Sequence, residues 1–174
     1  MAYPAKRKKE KRKREVKGNI EAAQELAFRF LSYRSRSSEE VRQKLSQAGF
    51  APSAIKGVIA RLEELKYLND YDYARASGRS CVEHKCWGPA RIRDSLLKKG
   101  VAPAIITSVV QELADEHDFS RVARRALEAR FSPAEMHKLT ERKTRQRLID
   151  YLVRKGFSWS IIADVIKIDQ DTFI

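Results

Sequence analysis

Glycine and proline are scarce in this chain, seven and five in 174 residues. That is too little punctuation for a fold of many short strands and turns, and it leaves helices as the material of the protein. No stretch approaches the roughly 20 apolar residues of a membrane span. The basic stretch at the start leads into Gly18-Asn19-Ile20-Glu21, not an apolar segment, so no secretory leader is expected. Cysteine is limited to Cys81 and Cys86, with His84 between them. Two thiols and one imidazole fall short of a structural zinc site, and neither His117 nor His137 is spaced to complete one. Reduced thiols in the cytoplasm are the expectation.

Catalytic machinery is also missing. The glycines stand singly, so no glycine-rich loop followed by lysine can cradle a phosphate. No serine or cysteine has a nearby histidine with a supporting acid. Asp70 and Asp72 could attract a metal, but Asn69-Asp70 suits the start of a helix better. The chain reads as a non-enzyme with no catalytic residue, no cofactor and no metal.

What is present is a sentence written three times. Val41, Leu45, Gly49-Phe50-Ala51-Pro52, Ile55, Val58 and Ile59 recur 51 residues later as Ile92, Leu96, Gly100-Val101-Ala102-Pro103, Ile106, Val109 and Val110. A further 56 residues on stand Leu148, Leu152, Gly156-Phe157, Ile162, Val165 and Ile166. Such a period marks a repeat array in which each unit supplies part of a shared core. Arrays bind along their length, which tilts the function from catalysis to binding.

Each unit reads as three helices. In the first, Leu26, Ala27 and Phe30 form the stripe of a helix over Ile20–Tyr33. Ser37 and Glu40 form a capping box at the start of the second helix. Val41, Leu45 and Ala48 face inward at helical spacing, and Gly49 supplies a left-handed C-cap. Pro52 opens the third helix, whose apolar face is Ile55, Val58, Ile59, Leu62 and Leu65. The caps recur: Ser37 corresponds to Gly88 and Thr144, and Gly49 to Gly100 and Gly156. Ser158 serves as cap where Pro52 has become Trp159. Ser132-Pro133-Ala134-Glu135 is a second capping box, in the five extra residues of the third unit, and opens a longer helix. Gly78, in a first helix, reads as replaceable by alanine.

The formal charge is +13, and residues 1–17 carry +7 of it, nine basic against two acidic residues. So dense a tail has too few apolar residues to fold. It reads equally as a tether for acidic partners or as a solubilising segment. In the folded part, basic residues gather on the second helices of the later units. Arg91, Arg93, Lys98 and Lys99 lie in one, and Arg142, Lys143, Arg145, Arg147, Arg154 and Lys155 in the next. Glu112, Asp115 and Glu116 make a third helix acidic. Stacked units would turn these cations into a positive stripe.

Second and third helices joined across Gly49-Phe50-Ala51 also look like a helix-turn-helix. Leu45, Leu96 and Leu152 stand where a tight crossing favours a small residue, and Pro52, Ser53 and Ala54 are poor at reading base edges. Nucleic-acid binding through this motif is the alternative function. Tyr33, Tyr67, Tyr71, Trp87 and Trp159 could stack on bases, but as core or unit-interface residues they need no ligand.

The residues resemble one family, the RecX regulators of bacterial recombination. The resemblance rests on Tyr33-Arg34-Ser35-Arg36-Ser37-Ser38-Glu39-Glu40-Val41 with Lys44-Leu45 and Gly49, then Tyr67-Leu68-Asn69-Asp70-Tyr71-Asp72-Tyr73-Ala74. Gly88-Pro89-Ala90-Arg91-Ile92, Leu96-Leu97-Lys98-Lys99-Gly100-Val101 and Lys155-Gly156-Phe157 follow. It spans about residues 20–167. It implies an all-α fold of three tandem three-helix repeats in an elongated, curved array. The expected divisions are a disordered basic tail over 1–18 and repeats over 19–69, 70–118 and 119–174. It implies binding in the groove of the RecA recombinase filament on single-stranded DNA, with inhibition of strand exchange, ATP hydrolysis and repressor cleavage. Single- or double-stranded DNA is a further expected partner, a membrane is not, and a monomer is expected. The family has no catalytic residues to carry over and no fixed binding motif. The RecA- or DNA-binding surface is therefore read from charge: Arg36, Arg42, Arg91, Arg93, Lys98, Lys99, Arg145, Arg147, Arg154 and Lys155.

Overall fold

The computed structural model describes residues 19–137 and 141–166. The basic segment 1–18 lies outside the described residues. All regular structure among them is helical: α1 (Ile20–Leu31), α2 (Ser38–Gln47), α3 (Pro52–Glu64), α4 (Asp70–Lys85), α5 (Pro89–Leu97), α6 (Pro103–Glu116), α7 (Phe119–Glu128), α8 (Pro133–His137), α9 (Arg142–Lys155) and α10 (Trp159–Ile166).

The local signals act where the sequence places them. Asn69 accepts from the amides of Tyr71 and Asp72 at the start of α4. Ser37 and Glu40 close their capping box, and so do Ser132 and Glu135. Pro52, Pro89 and Pro103 open α3, α5 and α6, where a missing N–H leaves no bond unmade. Gly49, Gly100 and Gly156 all have left-handed backbones, with φ of 88°, 73° and 86°.

The chain divides into two compact units. The first comprises residues up to Tyr73 with the segment Lys99–Val101. Its core is Ala23 and Ala27 of α1, Val41 and Leu45 of α2, and Ile55, Val58, Ile59 and Leu62 of α3, closed by Phe50 and Leu68. Within this unit Ser37 Oγ donates to the Lys99 carbonyl at 2.5 Å, and Gly100 lies against Glu39.

The second unit holds Ala74–Lys98 and the residues from Ala102 onward. Gly78 of α4 faces Ile92, Val109 and Leu113, while α7 packs against α9 and α10. The N-terminus of α5 meets the C-terminus of α9. Gly88 N–H donates to the Lys155 carbonyl at 2.7 Å and Ala90 N–H to the Gly156 carbonyl at 3.1 Å. Two amides that α5 cannot satisfy itself, and two carbonyls left over at the end of α9, thus complete one another. The helix dipoles meet with opposite ends. By the repeat register Gly88 stands where Ser37 does and Lys155 where Lys99 does, so one joint occurs in two chemical versions.

Four expectations are corrected. Ala48 and Leu65 are exposed, because α2 ends at Gln47 and Leu65 lies beyond the last turn of α3. Thr144 is not an N-cap: α9 starts at Arg142, and Thr144 Oγ1 donates to the Glu141 side chain at 3.2 Å. The longer helix expected from Ser132 onward is short, Pro133–His137, and the extended backbone of Glu141, with ψ of 118°, sets it apart from α9. Gly78 is packed, since a β-carbon there would lie 2.6 Å from Leu113 Cδ1.

Candidate functional site: the cations around Trp87

Some basic side chains in the described residues have a carboxylate beside them. In the first unit Glu40 gathers Arg34 at 2.9 Å, Lys99 at 3.1 Å and Arg36 at 3.6 Å. Burial of Glu40 works against its charge. Hydrogen bonds from Arg34, Lys99 and the Ser37 amide outweigh that and hold its pKa down to about 2. Arg36 also lies 4.1 Å from the centre of the Phe30 ring, and Arg42 is held by Glu39 at 2.5 Å. In the second unit Arg75 and Arg79 grip Glu116, and the two guanidinium groups, Arg79 foremost, keep that carboxyl below its ordinary range. Arg124 meets Asp164, and Arg147 meets Glu135.

Among the cations without such a partner, one group is gathered in one place. Lys85, Arg91, Lys98, Arg154 and Lys155 come from α4, α5, the end of α5 and α9, all in the second unit, and none forms an ion pair with a described carboxylate. Trp87 is at their centre. Lys85 Nζ lies 4.6 Å and Arg91 Cζ 4.5 Å from its ring centre. Arg91 Nη1 donates to the Arg154 carbonyl at 2.8 Å, and Lys155 Nζ to the Lys85 carbonyl at 2.7 Å. The joint between α5 and α9 therefore brings these side chains together. Beside it is a cavity of about 570 Å³ lined by Trp87, Arg91, Asp94, Lys98, Val153 and Arg154 among others. Such a surface can hold anions, and its indole and valine can hold an apolar group.

Among the described residues no group of three His, Cys, Asp or Glu is placed to hold a metal ion. Cys81 is buried and its thiol is pushed up by burial, while Cys86 Sγ accepts from Arg125 Nε at 3.2 Å. No described helix is long and apolar enough to cross a membrane.

Three family descriptions match in order: "RecX, first three-helix domain" over residues 23–62, the second domain over 69–110 and the third over 121–166. The chain belongs to the RecX family. It is 34% identical over 143 residues to the regulatory protein RecX of Bacillus cytotoxicus, covering 82% of this chain and 52% of that one. It is 29% identical over 132 residues to that of Listeria monocytogenes serovar 1/2a, covering 76% of this chain and 48% of the relative. The chain thus spans about half the length of the curated relatives it matches. The crystal structure of RecX from Lactobacillus salivarius superposes with a TM-score of 0.74 at 25% identity, covering 85% of this chain and 94% of that one.

In RecX terms, Trp87, Arg91 and Lys98 stand in the second three-helix domain, and Arg154 and Lys155 in the third. Of the ten residues expected from charge, the structure brings Arg91, Lys98, Arg154 and Lys155 to one place. Arg93 is turned to α6, with Nη1 3.3 Å from Thr107 Oγ1. Arg145 and Arg147 are in the N-terminal half of α9, Arg145 half-buried and Arg147 beside Glu135. Arg36, Arg42 and Lys99 belong to the carboxylate networks of the first unit. Lys85 and Val153 were missed by the sequence reading: neither is in a motif, and although Lys85 is two residues from Trp87 in the chain, only the α5–α9 joint brings Val153 beside it. The aromatic residues also need correction. Tyr33, Tyr67 and Trp159 are not core: they are 79%, 60% and 48% exposed, Tyr33 and Tyr67 in the bends that follow α1 and α3 and Trp159 at the start of α10.

Proposed function

We propose that this chain regulates the RecA recombinase by docking on its filament on single-stranded DNA, lowering strand exchange, ATP hydrolysis and repressor cleavage. The role is non-enzymatic and belongs to recombinational DNA repair and the SOS response in the cytoplasm. Membership of a family whose curated members are named regulatory proteins supports it. The observation that carries the reading is the group of cations around Trp87 that no described carboxylate neutralises. Cations already paired within the fold gain little from a partner, whereas unpaired ones gain a full new interaction. Repeated units let one chain make several modest contacts at once, so the linked contacts hold more tightly than any single one.

The test is RecA ATP hydrolysis on single-stranded DNA with the protein titrated in. Hydrolysis should fall as the protein is added. No response at any concentration would sink the reading. Binding to naked single-stranded DNA should be weaker than to the filament and should fall steeply with salt. Equal affinity for naked DNA would favour the helix-turn-helix nucleic-acid binder instead.

A further inference from the structure

We infer that the cavity beside Trp87 is a docking slot for an acidic protein segment anchored by one large apolar side chain. This rests on reading the basic surface as an interface, and it names the chemistry of what enters.

Two observations call for an apolar anchor. The cavity, at about 570 Å³, has room for a side chain and the backbone that carries it. Val153 in its wall is 54% exposed, although Leu148, Ile149 and Leu152 of the same helix are buried. Val153 therefore does nothing for the core, and with Trp87 it offers an apolar wall to a visitor.

Charge calls for acids around that anchor. Arg91, Lys98 and Arg154 line the cavity without ion-pair partners among the described carboxylates. Arg91 is already ordered, stacked on Trp87 and tied by one Nη to the Arg154 carbonyl. Its remaining donors form a fixed fork suited to a carboxylate.

A nucleic-acid strand fits less well. Base stacking on an aromatic ring supplies much of single-strand binding, but Lys85 and Arg91 already lie over the Trp87 ring. Val153 has no π face. Asp94 also lines the cavity. Its carboxylate can accept from the backbone N–H groups of a peptide, and a phosphodiester backbone has none to give.

The experiment uses the full chain and two fluorescein-labelled acidic hexapeptides, one with a central phenylalanine and one with alanine in its place, read by fluorescence anisotropy. The phenylalanine peptide should bind about fivefold tighter, and Val153→Ala should abolish that advantage, as expected of side chains in contact. Lys98→Glu with Arg154→Glu should weaken both peptides by about tenfold or more, because like charges now face each other. Circular dichroism melts establish that the variants fold. If the charge-reversed protein does not fold, the Val153 comparison decides alone. Equal binding of the two peptides, or an advantage that survives Val153→Ala, overturns the slot. So does oligothymidylate that displaces the peptide at lower concentration than unlabelled peptide does. If the recombinase is inhibited while the peptides show no difference, the slot fails and the regulatory function stands. If the peptide difference is present and the recombinase does not respond, the function fails and the slot stands.

Discussion

Gly88 lies directly against the backbone of Gly156. A β-carbon built on Gly88 would overlap both the oxygen and the carbon of the Gly156 carbonyl, and would lie 2.6 Å from the Phe157 nitrogen. The φ of Gly88 is −82°, which any residue adopts, so glycine is required here by closeness alone. The obstructing atoms are backbone and cannot swing aside. Gly88→Ala should therefore push α5 off α9 and lower stability by about 2–3 kcal/mol or more. Gly57→Ala is the control: nothing lies within 4 Å of a β-carbon there, in α3. It should stabilise by about 0.5–1 kcal/mol. Denaturant unfolding of the two variants measures the difference, and equal tolerance would show that the joint is not packed as described.

Gly78→Ala separates propensity from packing. Helix propensity favours alanine, but the new methyl would press on Leu113, which is itself buried between neighbours. A net loss of about 1 kcal/mol is expected in thermal or denaturant unfolding. A gain in stability would mean that Leu113 has room to move.

Gly49 and Gly100 share a left-handed backbone but not surroundings. At Gly49 nothing lies within 4 Å, so Gly49→Ala carries backbone strain alone, about 1 kcal/mol. At Gly100 the methyl would also meet the Cβ and Cγ of Glu39. Gly100→Ala should be the more damaging change, and equal losses of unfolding free energy would remove Glu39 from the joint.

Glu40 links this joint to pH. Its pKa is depressed in the fold, from an ordinary 4.5 to about 2, so the ionised form is the one the fold favours. The resulting stability is fully present above about pH 4.5 and is lost as pH falls towards 2. Partial solvent exposure and salt keep the effect modest. Melting temperature measured across this window should fall for the wild type, while Glu40→Gln starts lower at neutral pH and loses less. Parallel curves for the two proteins would count against the Arg34–Glu40–Lys99 network.

Charge reversal tests the candidate surface. Lys98→Glu with Arg154→Glu should weaken inhibition of the recombinase by about tenfold or more. Arg93→Glu, on the side facing α6, should weaken it far less. Melting temperatures should stay near that of the wild type, because exposed substitutions away from such features rarely exceed about 0.5 kcal/mol. A larger effect at Arg93 would move the interface to the other side of α5.

The helices, most of their caps and the three-fold repeat were legible in the amino-acid sequence because each signal is local. A capping box such as Ser37 with Glu40 is complete within four residues. A left-handed glycine such as Gly156 answers to the carbonyls of the turn just before it. Apolar spacing repeats within a turn or two, and a period near fifty residues shows as plain text. Only the tertiary structure decided the rest. Gly88 reads as an acceptable cap, yet its reason is a carbonyl 68 positions away. Leu65 and Tyr67 look as apolar as Leu62 and Leu68, and whether they are covered depends on where a neighbouring helix happens to pass. The basic residues of α5 and α9 are alike in sequence. Which of them gather around Trp87 follows from the meeting of α5 with the end of α9, which joins residues 63 and 70 positions apart, and sequence distance gives no sign of that.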